Sequence, residues 1–253
     1  MGVKPHLVMN ILCFNTVELE LDVAADILAG GADAIIEAGA ILAGGQTNED
    51  AIPKYGLCVT SFSPINKILT NAGAIPGDVV ILSKAIGTAV VMGAMRADAA
   101  AEESINATVD QMCRLNKYAA EAVEGLVVHA CTDVTGFGLL GHVMELANAS
   151  KVTVEIDYSS VPMLPRAEAY AEDGYSPCPA RGNLAYYKDF LHADGFEEYK
   201  LLLLAEPQTS GGLVFSLPAE NVGEALERLR LHDPESAVIG RVTDRREFPI
   251  HVV

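Results

Sequence analysis

The chain contains no tryptophan and only 6% aromatic residues, so any core it builds is aliphatic. It has no paired Cys-x-x-Cys motif. Its five cysteines, Cys13, Cys58, Cys113, Cys131 and Cys178, are scattered and odd in number, which excludes a disulfide framework and a zinc ribbon. A reduced, cytoplasmic setting is the expectation. No His-x-x-x-His pair supports zinc, and no Gly-x-x-x-x-Gly-Lys-[Ser/Thr] is present, so a P-loop is excluded as the source of a nucleotide site. No apolar run reaches the ~18 residues of a membrane span. The start, Met1-Gly-Val-Lys-Pro-His6, lacks the basic region and cleavage site of a signal peptide. Positive charge is also short: 17 Lys and Arg stand against 34 Asp and Glu, a formal net charge of −17. That balance argues against nucleic acid and anionic membranes as partners. It leaves room for a nucleotide, because Mg²⁺ lets carboxylates meet phosphates.

What is present is a chain of 253 residues, half of them hydrophobic, enough for one large domain or two smaller ones. Apolar runs predict strands at Leu7–Cys13, Ile41–Ala43, Tyr55–Phe62, Val79–Ser83, Leu126–Val128, Val152–Ile156, Tyr199–Ala205, Leu213–Leu217 and Val238–Val242. Helical periodicity predicts helices over Leu21–Ala38, Thr88–Met95, Ile105–Val123, Leu139–Leu146 and Ala219–Leu231. Thr16 is the expected cap of the first, with Glu18, Glu20 and Asp22 near its positive end. Ile75-Pro-Gly-Asp78 reads as a type II turn, and 162–183 as a loop-rich stretch. The class is α/β mixed (α+β), divided near Ser63–Asn66 into residues 1–64 and 65–253. The first part has too few elements to close a core, and reads as the remnant of a larger N-terminal α/β domain.

The densest segment is Ala130-Cys-Thr-Asp-Val-Thr-Gly-Phe-Gly-Leu-Leu-Gly-His142. Gly136, Gly138 and Gly141 have the Gly-x-Gly-x-x-Gly spacing between a strand and a helix. Asp157 ends the next strand about twenty residues on, where a dinucleotide fold places its ribose-binding acid. Against that reading, Thr132–Thr135 separate the strand from the first glycine, and Asp133 would face a pyrophosphate. In a second reading Asp133 holds Mg²⁺ at a strand end and the glycines are scaffold. In a third, Asp133 is an ordinary turn or capping residue. Gly44-Gly-Gln-Thr47 follows a strand and is either an anion-binding nest or a plain turn. Pro207-Gln-Thr-Ser-Gly-Gly212 is either the lining of a polar pocket or a solvated turn. His129 and His142 are expected to be packed and hydrogen-bonded, and Cys131 to be an inert buried thiol.

Taken in order, Ala43-Gly-Gly-Gln-Thr47, Lys84-Ala-Ile-Gly-Thr88, the Ala130–His142 segment and Pro207-Gln-Thr-Ser-Gly-Gly-Leu213 resemble the signatures of selenophosphate synthetase (selenide, water dikinase). That family belongs to the ATP-binding superfamily of aminoimidazole ribonucleotide synthetase. The resemblance implies a homodimer of two-domain subunits with a C-terminal α/β/α domain. It implies ATP and Mg²⁺ as cofactors, with selenide and ATP as small-molecule substrates. The implied reaction converts ATP, selenide and water to selenophosphate, AMP and phosphate. Gly44, Gly45, Gln46 and Thr47 match the family's ATP-phosphate loop, and Asp133 its metal-ligating aspartate. The family's N-terminal segment, with a catalytic Cys or selenocysteine, a lysine and further aspartates, has no match. No catalytic residue is therefore assigned, and the expectation is a truncated member with little or no activity alone. Two other classes stay in view: a dinucleotide-binding oxidoreductase using Gly136–Gly141 and Asp157, and a non-catalytic dimerisation domain.

Overall fold

The computed structural model describes residues 2–253, which form two compact units, 2–68 and 69–253. In the smaller unit, β1 (Leu7–Phe14), α1 (Leu21–Ala38), β2 (Ile41–Glu49) and β3 (Lys54–Thr60) build a three-stranded sheet of order β2-β1-β3. β1 and β2 are parallel, joined through α1, and β3 runs antiparallel to β1. Val8, Leu12 and Phe14 are buried, while Leu7, Met9 and Ile11 alternate with them on the exposed face. α1 matches its predicted span despite Gly30-Gly31, because a Cβ at Gly31 would collide with the Tyr55 ring. It ends on Gly39, left-handed at φ 79°, with Gly39 and Ala40 N–H groups returning to the Ile36 and Ile35 carbonyls.

Thr16 is not the helix cap. The helix starts at Leu21, and Thr16 donates its hydroxyl proton to Glu49 instead. Asn15 shapes the entry, its side-chain oxygen accepting from the Val17 and Glu18 N–H groups.

The larger unit holds β4 (Val79–Leu82), α2 (Thr88–Arg96), α3 (Glu102–Cys113), α4 (Lys117–Ala122), β5 (Ala130–Asp133), α5 (Gly138–Ser150) and β6 (Thr153–Ile156). There follow α6 (Ala167–Glu172), α7 (Cys178–Tyr187), β7 (Leu191–His192), α8 (Glu198–Ala205), β8 (Leu213–Leu217), α9 (Ala219–Leu229), β9 (Ala237–Thr243) and β10 (Ile250–Val252). The strands form one sheet of order β5-β8-β4-β9-β6-β10-β7. One face packs Val80, Leu82, Val154 and Val214 against residues such as Val90 of α2, Leu139 and Val143 of α5, and Leu203 of α8. The other face packs Ile81, Cys131 and Phe215 against Ala119 of α4 and Ala225 and Leu229 of α9. The expected α/β/α layering is therefore present.

Several elements depart from the sequence reading. Tyr199–Ala205 is helical, within α8: Leu202, Leu203 and Leu204 are all buried, and a short apolar run has no period to separate strand from helix. Leu126–Val128 lies outside any strand; Val127 is exposed, and the strand begins at Ala130. The helix expected over 105–123 is broken between Cys113 and Lys117, where Arg114 is extended (ψ 124°) and its guanidinium binds Asp233 and Glu235. The stretch 162–183 contains α6 and the start of α7. The turn at Ile75–Asp78 forms as predicted, with Gly77 at φ 99° and the Asp78 N–H on the Ile75 carbonyl.

Candidate functional site

The sheet order decides which motifs meet. β8 runs antiparallel to both β4 and β5, with Leu82 opposite Val214 and Asp133 opposite Leu213. The C-terminal ends of β4 and β5 and the N-terminal end of β8 therefore lie at one end of the sheet. Each opens into a signature segment: Lys84–Thr88, Asp133–Gly141 and Pro207–Gly212.

These loops are bonded to one another. The Val134 N–H donates to the Gly212 carbonyl, and the Gln208 N–H to the Thr135 carbonyl, each at 2.9 Å. The Thr209 N–H donates to the Thr88 hydroxyl at 3.0 Å, and Thr88 donates to the Gln208 side-chain oxygen at 3.1 Å. Gly211 and Gly212 are needed for clearance: a Cβ on Gly211 would strike the Val134 carbonyl, and one on Gly212 would sit 2.6 Å from the Lys84 nitrogen.

Two buried ionisable residues support this loop cluster. Lys84 is fully buried, and its Nζ donates to the carbonyls of Arg114 (2.6 Å) and Ser210 (3.1 Å). Burial pulls its pKa down to about 8, against the attraction of nearby Asp233. Glu206 is equally buried and accepts from the Val90 N–H at 2.6 Å and from Gln208 Nε2 at 2.8 Å. Its burial pushes the carboxyl up to about 8, opposed by these hydrogen bonds. The sequence reading gave neither residue a role. Their only signal was their place inside or beside a motif, since burial is not readable from a single chain.

The surface of the cluster is polar. Asp133 is half-exposed and its carboxylate makes no hydrogen bond or ion pair among the described residues, while Thr135, Thr209 and Ser210 are exposed beside it in sequence or across the bonded loops. The donors are carboxylate and hydroxyl oxygens, the hard ligands that suit Mg²⁺. No group of three or more His, Cys, Asp or Glu side chains forms a metal cluster among the described residues. One carboxylate is compatible with Mg²⁺, which keeps water and phosphate oxygens as its other ligands.

The glycines of the central segment act as spacers. A Cβ on Gly141 would strike the Tyr187 hydroxyl and stand 2.7 Å from Phe137 Cβ. Tyr187 donates to the Phe137 carbonyl and Asn183 to the Gly136 carbonyl, which holds the turn against α7.

The dinucleotide reading fails on topology. β5 and β6, the strands flanking α5, are separated in the sheet by β8, β4 and β9, so β5-α5-β6 is not an adjacent parallel βαβ unit. Asp157 is also committed elsewhere. It accepts from the Ser159 N–H and from the Ser159 and Ser160 hydroxyls, and these bonds hold its carboxyl below the usual carboxylate range.

Gly44, Gly45, Gln46 and Thr47 belong to the smaller unit and Asp133 to the larger one. They do not form a turn: all four continue β2, exposed along its length. The glycines answer a register slip opposite Val8 and Met9. Gly44 takes φ 132°, and a Cβ on Gly45 would strike the Asn10 backbone carbonyl. Gln46 Nε2 donates to the Thr47 carbonyl at 3.1 Å.

His129 and His142 are hydrogen-bonded as expected, to Asp78 (2.9 Å) and Thr135 (3.0 Å). Cys131 is buried, which raises its thiol pKa. No helix among the described residues is long and apolar enough to cross a membrane.

Residues 1–62 match the family model of the AIR synthase related protein N-terminal domain, and residues 76–253 that of the C-terminal domain. A selenide, water dikinase of Clostridium botulinum (strain Eklund 17B / Type B) is 43% identical over 251 residues, covering 99% of this chain and 72% of the relative. One from Porphyromonas gingivalis (strain ATCC 33277) is 42% identical over 98% of this chain and 71% of its own length. Among solved structures, thiamine-monophosphate kinase from Stenotrophomonas maltophilia K279a has a TM-score of 0.73 at 19% identity, covering all of this chain and 73% of its own. The hydrogenase maturation protein HypE in complex with ATP has a TM-score of 0.64 at 19% identity, covering 96% of this chain and 66% of its own. At such identities the two structures speak for the fold alone.

Proposed function

The chain belongs to the selenide, water dikinase family of AIR synthase related proteins, and from that membership we propose that it acts on ATP, selenide and water to give selenophosphate, AMP and phosphate. The family is one of ATP-dependent phosphotransferases. The observation that carries the proposal is the meeting of three signature loops around the half-exposed Asp133 carboxylate at one end of the larger sheet.

Charge supports the chemistry. A chain of net charge −17 repels a polyanion, and a divalent cation between them offsets that repulsion. Asp133 would hold Mg²⁺ there, and that ion would supply neutralisation of the phosphate oxygens. The remaining work belongs to the chain itself. The bonded loops fix the backbone at Asp133. In the smaller unit, the exposed Gln46 and Thr47 offer side-chain donors and acceptors of the kind a phosphate takes. The bare Gly44 and Gly45 leave the β2 backbone open to close approach.

Two further assignments accompany this one. The exposed apolar residues Leu7, Met9 and Ile11, on one face of the smaller unit's sheet, support a homodimer. Five cysteines without a disulfide support a cytoplasmic setting.

Titration calorimetry with Mg-ATP and with NADH tests the reading. Heat from Mg-ATP and none from NADH is the expected result, and binding of NADH alone overturns it.

A further inference from the structure

Thr135 stands two residues beyond Asp133, with the buried Val134 between them. Its backbone is held, because its carbonyl accepts from the Gly138 and Gln208 N–H groups. Its side chain is held as well. The hydroxyl lies 3.0 Å from Nε2 of His142. On the far side of that ring, Nδ1 lies 3.4 Å from the carboxylate of Glu145, three residues on in α5. The imidazole is buried and its centroid lies 5.6 Å from that of the Phe137 ring.

A carboxylate beside Nδ1 places the imidazole proton on that nitrogen. Nε2 then carries a lone pair and accepts. The Thr135 hydroxyl donates its proton inward, and its oxygen lone pairs are left for the exposed side of the loop. In the opposite tautomer the Nε2 proton takes one of those lone pairs, and the hydroxyl proton is left to compete for the exposed side.

We propose that Thr135 is a second oxygen ligand, beside Asp133, for the divalent cation that accompanies the polyphosphate, and that His142, oriented by Glu145, is the positioning residue that turns the Thr135 lone pairs toward it. A neutral hydroxyl oxygen is a hard donor of the kind Mg²⁺ accepts. This rests on the assignment of Asp133 to the cation.

Two measurements test it, and the first needs no ligand. In ¹⁵N-histidine-labelled protein near neutral pH, long-range ¹H–¹⁵N correlation reads the His142 tautomer, its signal identified by its loss in His142→Gln. With the ring neutral, the proton is expected on Nδ1; a proton on Nε2 instead overturns the positioning role. The second is Mn²⁺-ATP binding followed by electron paramagnetic resonance. Thr135→Val and His142→Phe are each expected to weaken binding about ten-fold, with Thr135→Ser within about two-fold of the parent. Weakening in Asp133→Asn but not in Thr135→Val overturns the inference and leaves the Asp133 assignment standing. Equal affinity of Asp133→Asn and the parent overturns the Asp133 assignment itself, and the cation role of Thr135 with it.

Discussion

Gly138, at φ 69°, lies against the backbone of Ala205, so close that a Cβ on it would stand 2.5 Å from the Ala205 carbonyl carbon. A left-handed backbone and an occupied Cβ position act together there. Gly138→Ala should therefore destabilise the larger unit by about 3 kcal/mol or more, combining left-handed strain with overpacking. Gly141→Ala meets the Tyr187 hydroxyl, which is a side chain and can yield. Its cost should be about 1–3 kcal/mol and should shrink in a Tyr187→Phe background. Denaturant unfolding of the four variants checks both statements.

Glu206 predicts a pH dependence. Its folded pKa is raised to about 8 by burial, while in the unfolded chain it titrates as an ordinary glutamate. Between those two values the folded state binds more protons than the unfolded one. Stability therefore falls as pH rises across that window, and the cost of the buried charge is complete above it. Glu206→Gln cannot ionise and should show a flatter slope from about pH 5 to about pH 8. Unfolding free energies of parent and variant over that range decide the matter.

Asp133→Asn keeps the shape of the side chain and removes its charge. Affinity for Mg-ATP should drop by about ten-fold or more, while melting temperature changes little, because the carboxylate has no protein partner to lose. Calorimetry paired with thermal melts separates binding from folding. An unchanged affinity would remove Asp133 from the site.

Ile11 points away from the buried Val8, Leu12 and Phe14 and is 49% exposed. If that face joins two copies, Ile11→Asp should convert a dimer to a monomer without unfolding the smaller unit. Sedimentation equilibrium reads the result directly. A parent that is monomeric at high concentration contradicts the dimer.

The sequence was most legible where one face of an element is buried and the other wet. α1, with one half-buried stripe around Ile35 and a glycine stop, matched its predicted limits. It was least legible where burial is complete. The Leu201–Leu204 run carries no period because α8 is covered in its second half, and it read as a strand. The Gly44-Gly45 pair read as a turn for a related reason. Glycine marks an unusual backbone, but not whether that backbone turns or only slips register against a neighbour such as Asn10. For the site, motif order located Asp133 and the loops around it. It could not show that Lys84 and Glu206 hold those loops from beneath, because that depends on strands distant in sequence.

The outer strands of the smaller unit, β2 and β3, each have a single ladder neighbour, and β2 is nine residues long. Their outward edges carry backbone donors and acceptors that could join a strand from another molecule. The large negative charge of the chain opposes such encounters over roughly a Debye length, about 10 Å at 0.1 M salt. Solution behaviour should therefore run contrary to the common remedy: adding salt screens the repulsion and promotes self-association, whereas dilute buffer above the isoelectric point keeps molecules apart. For handling this protein, ionic strength is a variable of structure as much as of formulation.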